Sequence, residues 1–265
     1  MQDKNYKSSN LIKRKKKILL LKMWVIFIIA ILIIGGGAYF SNTENVKIST
    51  ISINDTTFFN KQEVEKIAQE ELANTHFLIF GKNNILLLPR NNIEKRIKEY
   101  HQAIKSVSIS LSGLQAISIN IEEYEPQAVW CSREDCYYLN EDGFIFVKAP
   151  PDYDRKLVEF HDWIHNDPVG QTYIDAETFK KITMFVELVA GVPLKVISIN
   201  TEDGLTFNLR TDVGTRLLYE INDDPKEVAD NLNTVIEKDA INRAQLNNID
   251  YIDLRFGNKV YYKIR

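Results

Sequence analysis

Two cysteines, Cys131 and Cys136, with four residues between them, are the only ones in the 265-residue chain. Such a pair can be a redox couple, part of a metal site or a covalent staple. A redox couple of the C-x-x-C kind has a shorter spacing and sits at a helix N-terminus that lowers a thiol pKa, neither of which is found here. A structural zinc needs four Cys or His ligands, and no histidine lies near this pair in sequence. Trp130 reads as the end of one strand and Tyr137-Tyr138 as the start of the next, with "SREDC" turning between them. Cysteines flanking such a loop can stand opposite each other, within the roughly 4.4–6.8 Å Cα separation that a disulfide needs. The pattern favours a disulfide over two free thiols, and closing so short a loop contributes only about 2 kcal/mol.

A second candidate is "HDWIH", His161 to His165, which resembles a zinc-protease helix with Asp162 in place of Glu. That chemistry requires both histidines on one face of a stable helix, a third ligand and an open position. Asn166, Asp167 and Pro168 follow at once and forbid a long helix, and Asp162 is one methylene short for a general base. The segment reads as a turn. His76 and His101 are remote singletons. The acidic pairs Asp152/Asp154 and Asp223/Asp224 stand among turn signals and read as solvated loops and caps rather than glycosidase carboxylates. There is no nucleophile elbow, phosphate loop or dinucleotide fingerprint, so neither an enzyme nor a cofactor is expected.

Whether the cysteines meet an oxidising compartment depends on the N-terminus. Residues 1–22 carry eight Lys/Arg against Asp3, a net +7; with −3 overall, the remaining residues carry −10. Met23 to Phe40, "MWVIFIIAILIIGGGAYF", has no charge, and "ILLLK" lengthens the apolar run before it. A bilayer core of about 30 Å needs roughly 20 such residues as a helix. Lys22 can snorkel to the headgroups, and Trp24 and Tyr39 sit where interfacial aromatics belong. A signal peptide has a shorter apolar core and a small-x-small cleavage site, which is missing here. The block Lys13, Arg14, Lys15, Lys16, Lys17 places the N-terminus in the cytoplasm by the positive-inside rule. It reads as a topology determinant attracted to anionic lipid, with no nucleic-acid partner. The expected divisions are a basic tail over 1–22, a transmembrane helix over 23–40, and two extracytoplasmic domains over 41–124 and 125–265.

The first of these reads β-α-α-β-β. "VKISTISI" is a strand with a phase change; "NKQEVEKIAQEEL" is a helix with Asn60 and Glu63 as a capping box and Val64, Ile67, Ala68 and Leu72 on one face. "NNIEKRIKEY" gives a short second helix. "SVSISLSGLQAISINIEEY" alternates on both sides of Ser112-Gly113, so Val107, Ile109 and Leu111 share a face with Ile117, Ile119 and Ile121. After Pro126 the rhythm changes to short strands, with two helices. One is capped by Asp175, with Phe179, Ile182, Phe185 and Leu188 on its apolar face. The other is capped by Asp224 with Pro225 at its first position. Two strands around Gly257-Asn258 close the chain, the last with nothing after it to cover it.

This order is similar to the bacterial division protein family FtsQ, called DivIB in many Gram-positive bacteria. The resemblance rests on "EYEPQAVW" (Glu123, Pro126, Ala128, Trp130), on "YYLNEDGFIF", and on "YIDLRF" (Asp253, Leu254, Arg255, Phe256), in order behind a basic single-pass anchor. Tyr124 departs from the family, which commonly has a basic residue there. The resemblance implies an α+β protein: a transmembrane helix, a small POTRA domain, then a strand-rich domain ending in an exposed β-strand. It implies a non-enzymatic divisome scaffold at the septum, binding the bitopic proteins FtsB and FtsL and acting indirectly on the FtsW/FtsI synthase pair. In the family a partner strand adds to the C-terminal strand region, where Arg255 and Phe256 match contact residues by position and Tyr262 matches more loosely; the interleaved cations and aromatics of "NKVYYKIR" add Lys259 and Tyr261 as candidate contacts. The POTRA unit is implicated in recruitment to the division site. Edge-strand physics agrees, although lysines on an edge also discourage aggregation and Arg255 has Asp253 and Asp250 close by. The competing readings are a membrane-anchored cell-wall enzyme, which lacks a catalytic constellation, and a POTRA export module, which would carry a transmembrane barrel.

Overall fold

The structure, a computed structural model, describes residues 9–41, 43, 47–73, 75–76, 80–81, 84–85, 87–113, 115–132, 135–161, 167–191, 194–201, 203–238 and 243–265. The chain divides into two compact units, the first holding residues 1–100 and 106–121, the second 101–105 and 122–265.

The first unit begins with helix α1 (Ser9–Ser41), longer than the expected 23–40 because the basic block continues the helix. Lys and Arg are good helix formers, so nothing in that block stops it. Within its stretch Arg14–Gly37 an 18-residue window reaches a mean hydropathy of 2.9, long and apolar enough to cross a bilayer. Then come β1 (Thr50–Ile53), α2 (Lys61–Ala73), a two-residue pair β2 (Thr75–His76) and β3 (Phe80–Gly81), α3 (Arg90–Tyr100), β4 (Ile104–Leu111) and β5 (Ala116–Glu123). The three long strands form a sheet ordered β1-β5-β4, with β1 and β5 parallel. Asn60 starts α2, its Oδ1 accepting from the Gln62 N–H at 2.9 Å. Val64, Ala68 and Leu72 of α2 and Ile93 and Ile97 of α3 are buried, as are Ile109, Ile117, Ile119 and Ile121. Leu111 is the exception to the expected face: 44% exposed, at the end of edge strand β4.

The second unit is built on a nine-stranded sheet ordered β14-β13-β12-β11-β10-β9-β6-β7-β8. Its elements are β6 (Ala128–Ser132), β7 (Asp135–Leu139), β8 (Ile145–Lys148), β9 (Val158–His161), α4 (Ala176–Val189), β10 (Val196–Thr201), β11 (Thr206–Thr211), β12 (Arg216–Glu220), α5 (Pro225–Glu237), a 3₁₀ turn (Arg243–Asn248), β13 (Ile249–Phe256) and β14 (Lys259–Ile264). β9 and β10 pair in parallel, as do β12 and β13, and each of these connections runs through a helix. Parallel neighbours need such a crossover because a tight turn cannot return the chain to the same end.

Both helix caps read from sequence are present. Asp175 accepts from the Thr178 N–H, and Asp224 from the Lys226 and Glu227 N–H groups. The Thr178 bonds hold the Asp175 carboxyl below the usual carboxylate range. Phe179, Ile182 and Phe185 of α4 join Val228, Leu232 and Ile236 of α5 over Phe160, Leu209, Leu217 and Ile252 of the sheet. Phe185 stacks on Tyr219 at 4.3 Å. Val189 rather than Leu188 completes the buried face of α4.

Cys131 and Cys136 are directly opposed in the β6–β7 ladder, with Cα atoms 4.1 Å apart, and are joined in a disulfide. The loop is shorter than expected, since pairing continues past the cysteines to Ser132 and Asp135. Of "HDWIH", His161 ends β9 and residues 162–166 lie outside the described residues.

The turn after β7 is organised by buried Asn140, whose Oδ1 accepts from the Asp142 and Phe144 N–H groups, both at 2.9 Å. Gly143 has φ +74°, and a Cβ there would stand 2.9 Å from the Phe179 ring. Gly257 also has positive φ, +62°, but open space around it. In chemical denaturation, Gly257→Ala should cost about 1 kcal/mol for backbone strain alone, and Gly143→Ala about 2–4 kcal/mol from strain and overlap together. Equal losses would mean that the Phe179 contact yields without cost.

Candidate functional site

β14 lies at one edge of the large sheet and, among the described residues, pairs with β13 alone. The β13–β14 hairpin turns at Gly257, whose carbonyl accepts from Asn231 Nδ2 of α5 at 3.2 Å. The far end of β14 is held by the Arg265 N–H on the Asn248 carbonyl at 2.8 Å and by Arg265 Nη2 on the Gly214 carbonyl at 2.7 Å.

Arg255, Phe256, Lys259, Tyr261 and Tyr262 are all brought together on this hairpin. Phe256, Tyr261 and Tyr262 are 54%, 51% and 46% exposed, and Ile264 beside them is 62% exposed. Phe256 and Tyr261 meet edge to face at 5.1 Å. Cross-strand partners share a face, so Tyr262, opposite Ile252, continues the apolar side of the sheet, while Tyr261, opposite Asp253, points to the other side. The contribution of Ile264, opposite Ile249, was not singled out from sequence; the alternation of "VYYKI" was the signal for it.

The backbone of β14 follows from the same register. In an antiparallel ladder a residue directs its N–H and C=O to the same side, and the side alternates along the strand. Because the Arg265 N–H points at the partner strand's end, Lys263 and Tyr261 also point inward. Val260, Tyr262 and Ile264 therefore direct their N–H and C=O groups away from β13.

Arg255 is not a free cation. It forks onto Asp253, Nε to Oδ1 at 2.8 Å and Nη2 to Oδ2 at 2.7 Å, and the Arg255 N–H adds a third bond to Oδ1 at 3.2 Å. Asp250, the other acid in reach by sequence, is held instead by Arg216 Nη2 at 2.9 Å. Lys259 and Lys263 are exposed.

Residues 46–124 match the family model described as POTRA domain, FtsQ-type. The chain carries an FtsQ-type POTRA domain. A domain of this type behind an apolar N-terminal helix supports an FtsQ/DivIB-like single-pass protein. No curated protein matches the chain.

In the FtsQ-like chain, the Arg255 hydrogen bonds hold the buried Asp253 carboxyl below the usual carboxylate range against the opposing effect of burial. A depressed folded-state pKa gives stability that is present above the unfolded value of about 3.9 and lost as pH falls through the folded value. Wild-type stability should therefore fall on acidification below about pH 4, and Asp253→Asn should flatten that part of the curve while costing about 1–2 kcal/mol at neutral pH. Denaturant midpoints measured between pH 7 and 2.5 test this; parallel curves for the two proteins would show that the pair contributes nothing.

Proposed function

We propose that this chain is a single-pass scaffold of the division machinery, its N-terminus cytoplasmic and its bulk outside the membrane at the septum. Its β13–β14 edge receives an extended strand from FtsB-like and FtsL-like bitopic partners. Through them it helps to regulate septal peptidoglycan synthesis by an FtsW/FtsI-type synthase. The observation that carries this reading is the outer edge of β14, where outward backbone groups of Val260, Tyr262 and Ile264 stand beside exposed Phe256, Tyr261 and Tyr262. An added strand satisfies the backbone groups, and the aromatics supply contact area at small entropic cost. Lys259 and Lys263 favour a partner strand bearing carboxylates, since flanking cations steer acidic partners.

The topology of the edge separates backbone docking from simple side-chain contact. Proline is tolerated where its missing N–H faces away from the sheet, and not where the ladder needs a donor. With the full-length protein in nanodiscs, Tyr262→Pro should keep the fold and weaken binding of the partners' outer segments by about tenfold or more. Tyr262→Ala, which keeps the N–H, should lose less. Tyr261→Pro should instead loosen β14 itself, read as faster proteolysis of the C-terminal segment. Wild-type affinity in Tyr262→Pro would rule out strand addition at this edge.

A further inference from the structure

The Cys131–Cys136 disulfide forms part of the wall of a cavity of about 420 Å³, together with Tyr153, Arg155, Glu159 and His161. The Tyr153 hydroxyl lies 3.9 Å from Cys131 Sγ and 3.8 Å from Cys136 Sγ. Disulfide sulfurs carry no proton, so the phenol donates to Glu159 Oε1, 2.6 Å away. Arg155 Nη1 donates to the phenol oxygen at 2.8 Å and lies 3.3 Å from Glu159 Oε1, while its guanidinium carbon sits 4.3 Å above the Tyr153 ring. Glu159 Oε2 is 3.5 Å from His161 Nε2, and His161 is the cross-strand neighbour of Cys131. A staple of a hairpin needs none of this. A phenol donor backed by a guanidinium suits a sulfur that must carry negative charge. Burial, with Glu159 beside it, pushes the Tyr153 pKa up to about 12, so the donor keeps its proton.

The two sulfurs are not equivalent. Cys131 is 7% exposed, whereas Cys136 is only half-buried. In thiol–disulfide exchange the accessible sulfur is attacked and the other leaves, and a stabilised leaving thiolate leaves faster.

We propose that Cys131–Cys136 is a thiol–disulfide exchange site, attacked at Cys136 by a dithiol and releasing Cys131 toward Tyr153. A thiolate of the dithiol bonds to Cys136 Sγ as the Cys131–Cys136 bond breaks, and the electron pair leaves on Cys131 Sγ. The Tyr153 O–H turns from Glu159 to that thiolate, and Arg155 remains on Glu159. The second thiolate of the dithiol then attacks its own sulfur in the mixed disulfide, freeing Cys136. Both cysteine thiolates take protons from water. The dithiol ends as a disulfide and the cystine as two thiols. The same route run backwards, with an oxidised dithiol, is the class of reaction that would install the bond.

The test uses the full-length protein in nanodiscs. Glutathione, a monothiol that stops at the mixed disulfide, is applied without denaturant, followed by acid quench and peptide mass spectrometry. The adduct should sit on Cys136 in at least about tenfold excess over Cys131. Dithiothreitol should then reduce the wild-type bond about threefold to tenfold faster than it reduces that of Tyr153→Phe, which keeps the ring and loses the donor. An adduct shared equally or found on Cys131, a bond inert to dithiothreitol in the folded protein, or an unchanged rate in Tyr153→Phe would each overturn the proposal. Should Tyr153→Phe fail to fold, the position of the wild-type adduct decides alone.

Discussion

Both crossover helices of the second unit lie on the same face of one wide sheet, and most of what that unit does follows from the mismatch in width. Nine strands at about 4.8 Å spacing span nearly 40 Å, whereas two packed helices about 10 Å apart cover roughly half of that. The Phe185–Tyr219 stack and the α4–α5 residues around it seal the middle. The two margins must be finished by other means, and they are finished differently. At the β8 margin the backbone of residues 170–172 pairs back onto Phe144 and Ile145. Tyr124 and Tyr138 pack on Phe146, and the disulfide, bonded into the ladder two residues from Tyr138, lies with Tyr153 on the same face as Tyr138. At the β14 margin the described chain supplies no such cover. The start of the β8 edge is paired within the unit, whereas β14 is left with the backbone groups of Val260, Tyr262 and Ile264 facing out, which is the basis for proposing the interaction at β14.

The charges at that edge do less than their number suggests. Arg255 and Arg216 are each spoken for, by Asp253 and Asp250. A partner carboxylate that took Arg255 away would strand Asp253, which is 6% exposed, and a buried charge without its partner costs several kcal/mol. Arg255 can therefore receive a partner only as an additional acceptor on the pair it already makes. Under the proposed strand addition, specificity at this edge has to come from register, set by outward backbone groups, and from Phe256, Tyr261, Tyr262 and Ile264. The exposed lysines bias approach and oppose association of one β14 with another of the same charge.

Much of this was legible in the residues because local chemistry decides it. Asp175, Asp224 and Pro225 announce helix starts wherever they fall, and the alternation of 107–121 and the Gly257-Asn258 dipeptide announce hairpins. Where a position depends on strand order, local pattern stops short. Leu111 alternates correctly yet is exposed, because β4 is an edge and its tip overhangs the core. Local pattern makes the cysteine loop two residues too long, because Ser132 and Asp135 look like turn residues and still pair. Asn140 reads as one more polar turn residue and is the buried acceptor on which the turn hangs. At the candidate site the residue identities were legible, but Arg255 had two acids to choose between, and only the fold assigns Asp253 to it and Asp250 to Arg216.

The N-terminal helix carries a further geometrical consequence. Its 33 residues, at 1.5 Å each, extend about 50 Å, some 20 Å more than the hydrocarbon of a bilayer. Part of the helix must stand outside the apolar layer, and the basic block fixes which part. Arg14, Lys15, Lys16 and Lys17 follow one another at about 100° intervals, so their side chains point to every side of the helix in a single turn. An amphipathic stripe would lay this segment along the membrane surface; a ring of cations has no apolar side to lay down. It suits a helix that enters the headgroup layer upright and contacts anionic lipid at any rotation. Lys22, about 7 Å deeper along the axis, can reach back to the same layer with its methylenes in the apolar region. A ring of this kind sets the depth of the helix and leaves its rotation free, which suits the tether of the proposed scaffold, whose β14 edge would have to turn toward a partner.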